Sequence, residues 1–103
     1  MGSISVFEDK TKLIKCAVQS NNLTGDIIAF NKCLSLENLA LQGSGITGNI
    51  KNLCESLHNN GKVSGNIKFS FYNTNVKLDN NTSYTDTVTA TFTSSGVTYE
   101  VQS

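Results

Sequence analysis

The side chains that could do chemistry are few. His58 is the single histidine, and Cys54 precedes it by four residues, which puts both on one face if the segment is helical. A thiol beside an imidazole is the minimal arrangement for nucleophilic hydrolysis, the ring taking the proton from sulfur. No residue is recognisable as the third, orienting group. Cys54 also shares helical spacing with Ile50, Leu53 and Leu57, which aims it at a core, so His58 reads as a surface histidine. The other thiols, Cys16 and Cys33, form no C-x-x-C pair and no metal-ligand spacing with Cys54. A Cys33–Cys54 bridge stays open as a minor alternative. The acids are scattered. Asp79-Asn80-Asn81 superficially resembles the start of a calcium loop, but the glycine and the terminal bidentate glutamate are missing. Asn22-Leu23-Thr24, Asn80-Asn81-Thr82 and Asn81-Thr82-Ser83 fit the glycosylation triplet, which chance produces in a chain this rich in asparagine. The expectation is a protein that is not an enzyme, with no catalytic residues, no metal and no cofactor.

Eight lysines balance eight acids in 103 residues, and arginine is absent. Nucleic acid demands clustered positive charge, and arginine supplies the usual bidentate phosphate clamp; neither is present, so no nucleic-acid partner is expected. The longest apolar run, Ile27-Ile28-Ala29-Phe30, is far short of the ~18 residues of a membrane span. No membrane association is expected, and no signal peptide is visible. Met1-Gly2-Ser3 has the look of a cloning remnant, an option under which native export information is trimmed away. A soluble protein, cytoplasmic or virion-associated, is the expected location.

The elements that would position any site are organised by an internal repeat. Aligning position i with position i+23 sets Phe7 on Phe30 and Phe30 on Leu53. It sets Leu13 on Leu36, Cys16 on Leu39 and Val18 on Leu41. Leu23 then falls on Ile46, the Thr24-Gly25 pair on Thr47-Gly48, and Ile27 on Ile50. A third, stretched unit appears at an offset of 30, where Leu39-x-Leu41 falls on Phe69-x-Phe71 and Ile46 on Val76. The additional residues lie between Cys54 and Gly65 and read as a longer helix with a glycine-bounded loop. A rival register, with Val63-Ser-Gly-Asn-Ile67 on Ile46-Thr-Gly-Asn-Ile50, is less favoured, because Ile67, Phe69 and Phe71 alternate as a strand should.

The segments Leu13-x-x-Cys16-x-Val18-x-x-Asn21-x-Leu23 and Leu36-x-x-Leu39-x-Leu41-x-x-Ser44-x-Ile46 resemble the leucine-rich repeat, L-x-x-L-x-L-x-x-N-x-L. Their continuations to Ile27 and Ile50 are similar to the L-x-G-x-I tail of the 23-residue repeats found in gut bacterial and phage proteins. The resemblance spans about residues 5 to 76. It implies an α/β fold: a short leucine-rich-repeat-like solenoid with a small parallel sheet and helices. Thr24 and Thr47 are expected to cap the return segments, Ser5 and Glu8 to form a capping box for a first helix over 5–11, and Asn59-Asn60-Gly61 to stop a later one. Asn21, Ser44 and Thr74 form a column of short hydrogen-bonding residues at the bends.

After Val76 the repeat fails. Residues 79–85 read as a polar loop. Over 86–102, Val88, Ala90 and Phe92 alternate with threonines, and Val97, Tyr99 and Val101 alternate again after Ser94-Ser95-Gly96, a β-hairpin with one apolar face. Solenoids need caps, so this antiparallel hairpin is expected to close the open end, leaving its threonine face to solvent, with extension of the sheet edge as an option. The whole reads as a single domain, 1–103.

Leucine-rich repeat proteins usually bind through exposed strand residues. By that resemblance the binding columns are Lys15, Asn38 and Lys68; Ala17, Ala40 and Ser70; and Gln19, Gln42 and Tyr72. Tyr72 alone is of a type favoured at binding hot spots. The function expected is a non-catalytic protein-interaction module of leucine-rich repeat type, with a protein partner of unknown identity and homo-oligomerisation or a larger assembly as options. The alternative is a structural component of a phage or other multi-subunit particle: capsid, fibre or decoration protein.

Overall fold

A computed structural model describes residues 2–19, 22–79 and 87–102. The described residues form a mixed α/β fold, with one α-helix and a mostly sheet core. A five-stranded sheet has the order β2 (Lys15–Gln19), β4 (Asn38–Gln42), β6 (Asn66–Tyr72), β7 (Thr87–Thr93), β8 (Gly96–Gln102). A smaller sheet joins β1 (Gly2–Ser3), β3 (Leu23–Asp26) and β5 (Gly45–Thr47), all parallel. The helix α1 (Ile50–Asn59) and two single 3-10 turns, Ile4–Phe7 and Ile27–Phe30, line the same side of the core.

Strands β2, β4 and β6 are parallel, and their registers follow the two repeat offsets. Lys15 pairs with Asn38 and Gln19 with Gln42 at the shorter offset; Asn38 pairs with Lys68 and Gln42 with Tyr72 at the longer one. Alternation does the rest. Cys16, Leu39, Leu41, Phe69 and Phe71 point inward and are buried, and Val18, at the sheet edge, is half-buried. The rings of Phe7 and Phe30, equivalent positions one unit apart, stack with centroids 5.3 Å apart.

The caps lie beside the residues expected. Thr24 and Thr47 are in strands β3 and β5. Asp26 caps the second 3-10 turn, its carboxylate accepting from the Ile28 N–H at 2.8 Å, and Asn49 caps α1, accepting from the Asn52 N–H at 2.7 Å. The first turn is capped by Ser3, which accepts from the Ser5 N–H. Instead of a helix over 5–11 there is the 3-10 turn Ile4–Phe7 followed by further turns. Ser3, Asp26 and Asn49 are themselves spaced at the shorter repeat offset, and each precedes a buried isoleucine, Ile4, Ile27 or Ile50. Thr-Gly cannot supply the cap because the glycines hold the bend: Gly25 and Gly48 have φ of +123° and +105°. A Cβ on Gly25 would stand 2.8 Å from the Ile4 side chain. Gly45 is needed for another reason, since its Cβ would lie 2.8 Å from Thr24 Cγ2. That close approach lets β3 and β5 pair Thr24 with Gly45, two residues off the sequence alignment; a slip of two leaves the inward face unchanged.

The helix stop falls as read. The Gly61 N–H donates to the His58 carbonyl and the Lys62 N–H to the Leu57 carbonyl, both at 3.0 Å, with Gly61 at φ +113°. This paired arrangement satisfies the last carbonyls of α1. The extra length of the third unit therefore goes into α1 and its exit.

The hairpin takes the sheet-edge option and is not a lid. β7 and β8 do not lie over an open end. β7 pairs edge-on with β6, antiparallel, from Asn66↔Thr91 to Ser70↔Thr87, and β8 continues outward. The result is one mixed sheet, not a parallel sheet with a lid. Val88, Ala90 and Phe92 enter the same core as Ile67 and Phe69. The residue column at the bends is seen in part: Thr74 accepts from the Val76 N–H and Ser44 is exposed, while Asn21 lies outside the described residues, as does most of the 79–85 loop.

Candidate functional site

The outer face of the large sheet brings the nine strand residues together. Lys15, Asn38 and Lys68 form one row, Ala17, Ala40 and Ser70 the next, and Gln19, Gln42 and Tyr72 the third. Each row runs across three hydrogen-bonded strands, so neighbouring side chains in it are about 4.8 Å apart. Small residues in the middle row, between long side chains on either side, leave a shallow open concavity. It is about 410 Å³ and is lined by Ala17, Gln19, Ala40, Gln42, Ser70 and Tyr72, with backbone of the adjoining residues. Tyr72 stands at its rim, 69 % exposed.

The hairpin widens this face. Thr87 lies beside Ser70, Thr89 beside Lys68 and Thr91 beside Asn66, with Thr98 and Glu100 beyond them on β8. The platform is therefore five strands wide rather than three. The threonine alternation signalled an exposed polar face, but only the edge pairing with β6 joins it to the other three strands. The described charges on it are Lys15, Lys68 and Glu100; the rest of the described side chains are hydroxyls, amides, alanines and one phenol.

Cys54 and His58 are turned to different work. His58 Nε2 donates to the Thr93 carbonyl at 2.8 Å, stapling the end of α1 to the hairpin turn. Cys54 is fully buried. Burial pushes its thiol up to about 12, against a smaller opposing effect of the neighbouring Tyr99 hydroxyl. A thiol held there is protonated near neutrality and is a poor nucleophile. Tyr99 is also pushed up, first by burial and then by Cys54; Lys51 Nζ sits 5.3 Å from the centre of its ring. Cys16, Cys33 and Cys54 are all free thiols, so the Cys33–Cys54 bridge is not formed; the Cys33 thiol donates instead to the Phe7 carbonyl. Asp79 pairs with Lys51 at 3.5 Å, and its two following asparagines lie outside the described residues. Among the described residues no three His, Cys, Asp or Glu side chains gather as metal ligands, and no helix is long and apolar enough to cross a membrane.

Lys62 carries no sequence signal and is the most buried charge among the described residues, 7 % exposed. Its Nζ donates to the Leu34 carbonyl at 2.9 Å and lies 5.3 Å from the centre of the Phe92 ring. It ties the loop before β4 to the helix exit and the hairpin.

Fold and surface together define a mixed α/β protein whose five-stranded sheet presents one broad, weakly charged, hydrogen-bonding face. Compared with known proteins, the chain matches no family model, no curated protein and no solved structure.

Proposed function

We propose that the protein is a non-catalytic interaction module, built as a short leucine-rich-repeat-like solenoid, and that the outer sheet face is where it holds a protein partner. Two things support the solenoid reading. The parallel strands pair at the two repeat offsets, and a capping residue followed by a buried isoleucine recurs at the shorter one. The observation that carries the binding reading is the concavity over Ala17, Ala40 and Ser70, where small residues let a partner's backbone approach while Gln19, Gln42 and Tyr72 stand ready to grip it. With phenol, amides and two ammonium groups on offer, the favoured partner is an uncharged or mildly acidic protein segment.

The test places a photo-crosslinking residue at Ala40 and, as control, at Val63, an exposed position in the connection before β6. The Ala40 probe is expected to capture a discrete partner in extract of the source cell, and Tyr72→Ala to weaken binding of that partner about 30-fold, the loss of one aromatic hot spot. Equal capture from Val63, or binding indifferent to Tyr72→Ala, overturns the reading.

A second reading, a structural component of a phage or other multi-subunit particle, is favoured by one feature: among the described residues no further strand pairs with either edge of the sheet, β2 or β8. It requires assembly beyond a dimer, visible as filaments or shells by electron microscopy; assembly that stops earlier counts against it.

A further inference from the structure

The outer edge of β8 is seven residues long, and the charge of Glu100 is its main protection against pairing. No lysine, proline or bulge interrupts Gly96–Gln102; natural edge strands generally carry one of these against pairing with another chain. The direction of its backbone groups follows from the hairpin. The Phe92 N–H donates to the Gly65 carbonyl, towards β6. Neighbouring residues of a strand turn to opposite sides, so Thr91 and Thr93 face β8, and Thr98 and Gly96, their partners, face back. Val97, Tyr99 and Val101 therefore aim their N–H and C=O groups outward. Among the described residues nothing in the backbone hydrogen-bond network reaches them.

The same three residues form the inward row of side chains, and the fold covers that row incompletely. Val97 and Tyr99 are half-buried, and Val101 is 44 % exposed. Beside them, between α1 and β8, is an open depression of about 340 Å³ lined by Glu55, His58, Asn59, Gly96, Val97 and Tyr99. An apolar row, an unpaired edge and a depression thus coincide on one strand.

The sequence of that strand reads nearly the same in both directions about Tyr99: Val97-Thr98-Tyr99-Glu100-Val101. We propose that the protein dimerises through β8, two copies pairing antiparallel about a two-fold axis at Tyr99. In this register Val97 faces Val101 of the second copy and the two Tyr99 residues face each other. All three outward residues of each strand are then in hydrogen-bonded positions, giving six interchain bonds. Thr98 faces the other Glu100, so no like charges oppose. A register centred on Glu100 sets the two carboxylates together, and one centred on Thr98 shortens the ladder. The paired apolar rows shield Val101 on both copies. The axis is perpendicular to the sheet, so both outer faces point the same way on one ten-stranded sheet. Such a dimer is a bivalent platform whatever partner the face takes, and bivalence raises effective affinity without new contacts.

The test uses the full chain. An interface of one strand and its side chains is small, so association is expected to be weak and concentration-dependent: sedimentation between about 5 µM and 1 mM should move from one 11.1 kDa chain towards two. Amide exchange by NMR should show Val97, Tyr99 and Val101 slowing at least about tenfold at the upper concentration, while Thr98 and Glu100, bonded to β7, are protected throughout. Val101→Pro removes an outward N–H and costs no bond within the chain; it should hold the protein monomeric with its far-UV circular dichroism unchanged. A wild-type monomer at every concentration overturns the proposal. So does a dimer that Val101→Pro leaves intact, or concentration-dependent protection confined to other strands. Should Val101→Pro fail to fold, the wild-type exchange pattern decides alone.

Discussion

Asn49 and Cys54 show how single residues carry this fold. Asn49 satisfies a free N–H at the start of a ten-residue helix, Ile50–Asn59, and helices so short depend on caps and packing. Asn49→Ala is expected to cost about 1 kcal/mol in urea denaturation, and Asn49→Asp to retain nearly all of it. Cys54 makes a different prediction because its pKa differs between folded and unfolded chains. The folded thiol, raised from 9.0 to about 12, keeps its proton where the unfolded thiol has lost it. The unfolded chain therefore binds fewer protons between those values, and the stability contributed by Cys54 is full below pH 9 and declines as pH rises towards 12. Lys62 acts oppositely, because burial lowers its pKa from 10.5 and stability from that source grows as pH rises through the lowered value. Subtracting a Cys54→Ala variant isolates the thiol: the stability gap between wild type and variant should narrow from pH 8 to pH 10.5. A gap that stays constant, or widens, removes Cys54 as the source.

At the scale of elements, the hairpin is the decisive piece. Phe92 is 2 % exposed and packs against the buried Lys62 ammonium. Phe92→Ala should destabilise by about 3–5 kcal/mol, from lost burial and the cavity left behind. His58→Ala should cost only about 1 kcal/mol, one net hydrogen bond to the turn, with faster amide exchange confined to the turn around Thr93. Why the sequence left the hairpin's position open, over the core end or along the sheet edge, has a physical answer. Alternation in Val88, Ala90, Phe92 and in Val97, Tyr99, Val101 tells which face is apolar. Stacking over a core end and joining a sheet edge-on both bury that face, and they differ only in backbone pairing, which leaves no mark in residue type. The three parallel strands were legible because Cys16, Leu39 and Phe69 align at the repeat offsets and a one-residue slip would expose them all. The nine outer residues follow from the same alternation. The caps were legible too, in the spacing Ser3, Asp26, Asn49, yet Thr-Gly draws the eye first; its glycines mark the bend and not the cap. Lys62 gave no signal, since its partners come from a carbonyl and a ring distant in sequence.

At the scale of the whole molecule, charge separates the partner classes. The chain is neutral overall, and the described part of the outer face carries two lysines and one glutamate: Lys15, Lys68 and Glu100. Binding there can neutralise at most two anionic groups per copy. For a nucleic-acid duplex that limits the slope of log affinity against log salt to about −1.8, and the affinity contributed by ion release to a small part of what such ligands need. A protein segment held by Gln19, Gln42 and Tyr72 needs no ion release. Raising salt tenfold should then weaken a protein partner by less than about threefold, because hydrogen bonds and tyrosine packing are little screened while the exposed lysines contribute little. Lys15→Gln and Lys68→Gln together should lower the association rate more than they raise the dissociation rate, the usual mark of charges that steer rather than hold. Stopped-flow or surface-resonance kinetics at two salt concentrations measure both. A dissociation rate that climbs steeply with salt, or with those two substitutions, would mean that the ammonium groups grip the partner directly. The lysine row, and not the concavity over Ala40, would then be the centre of the site.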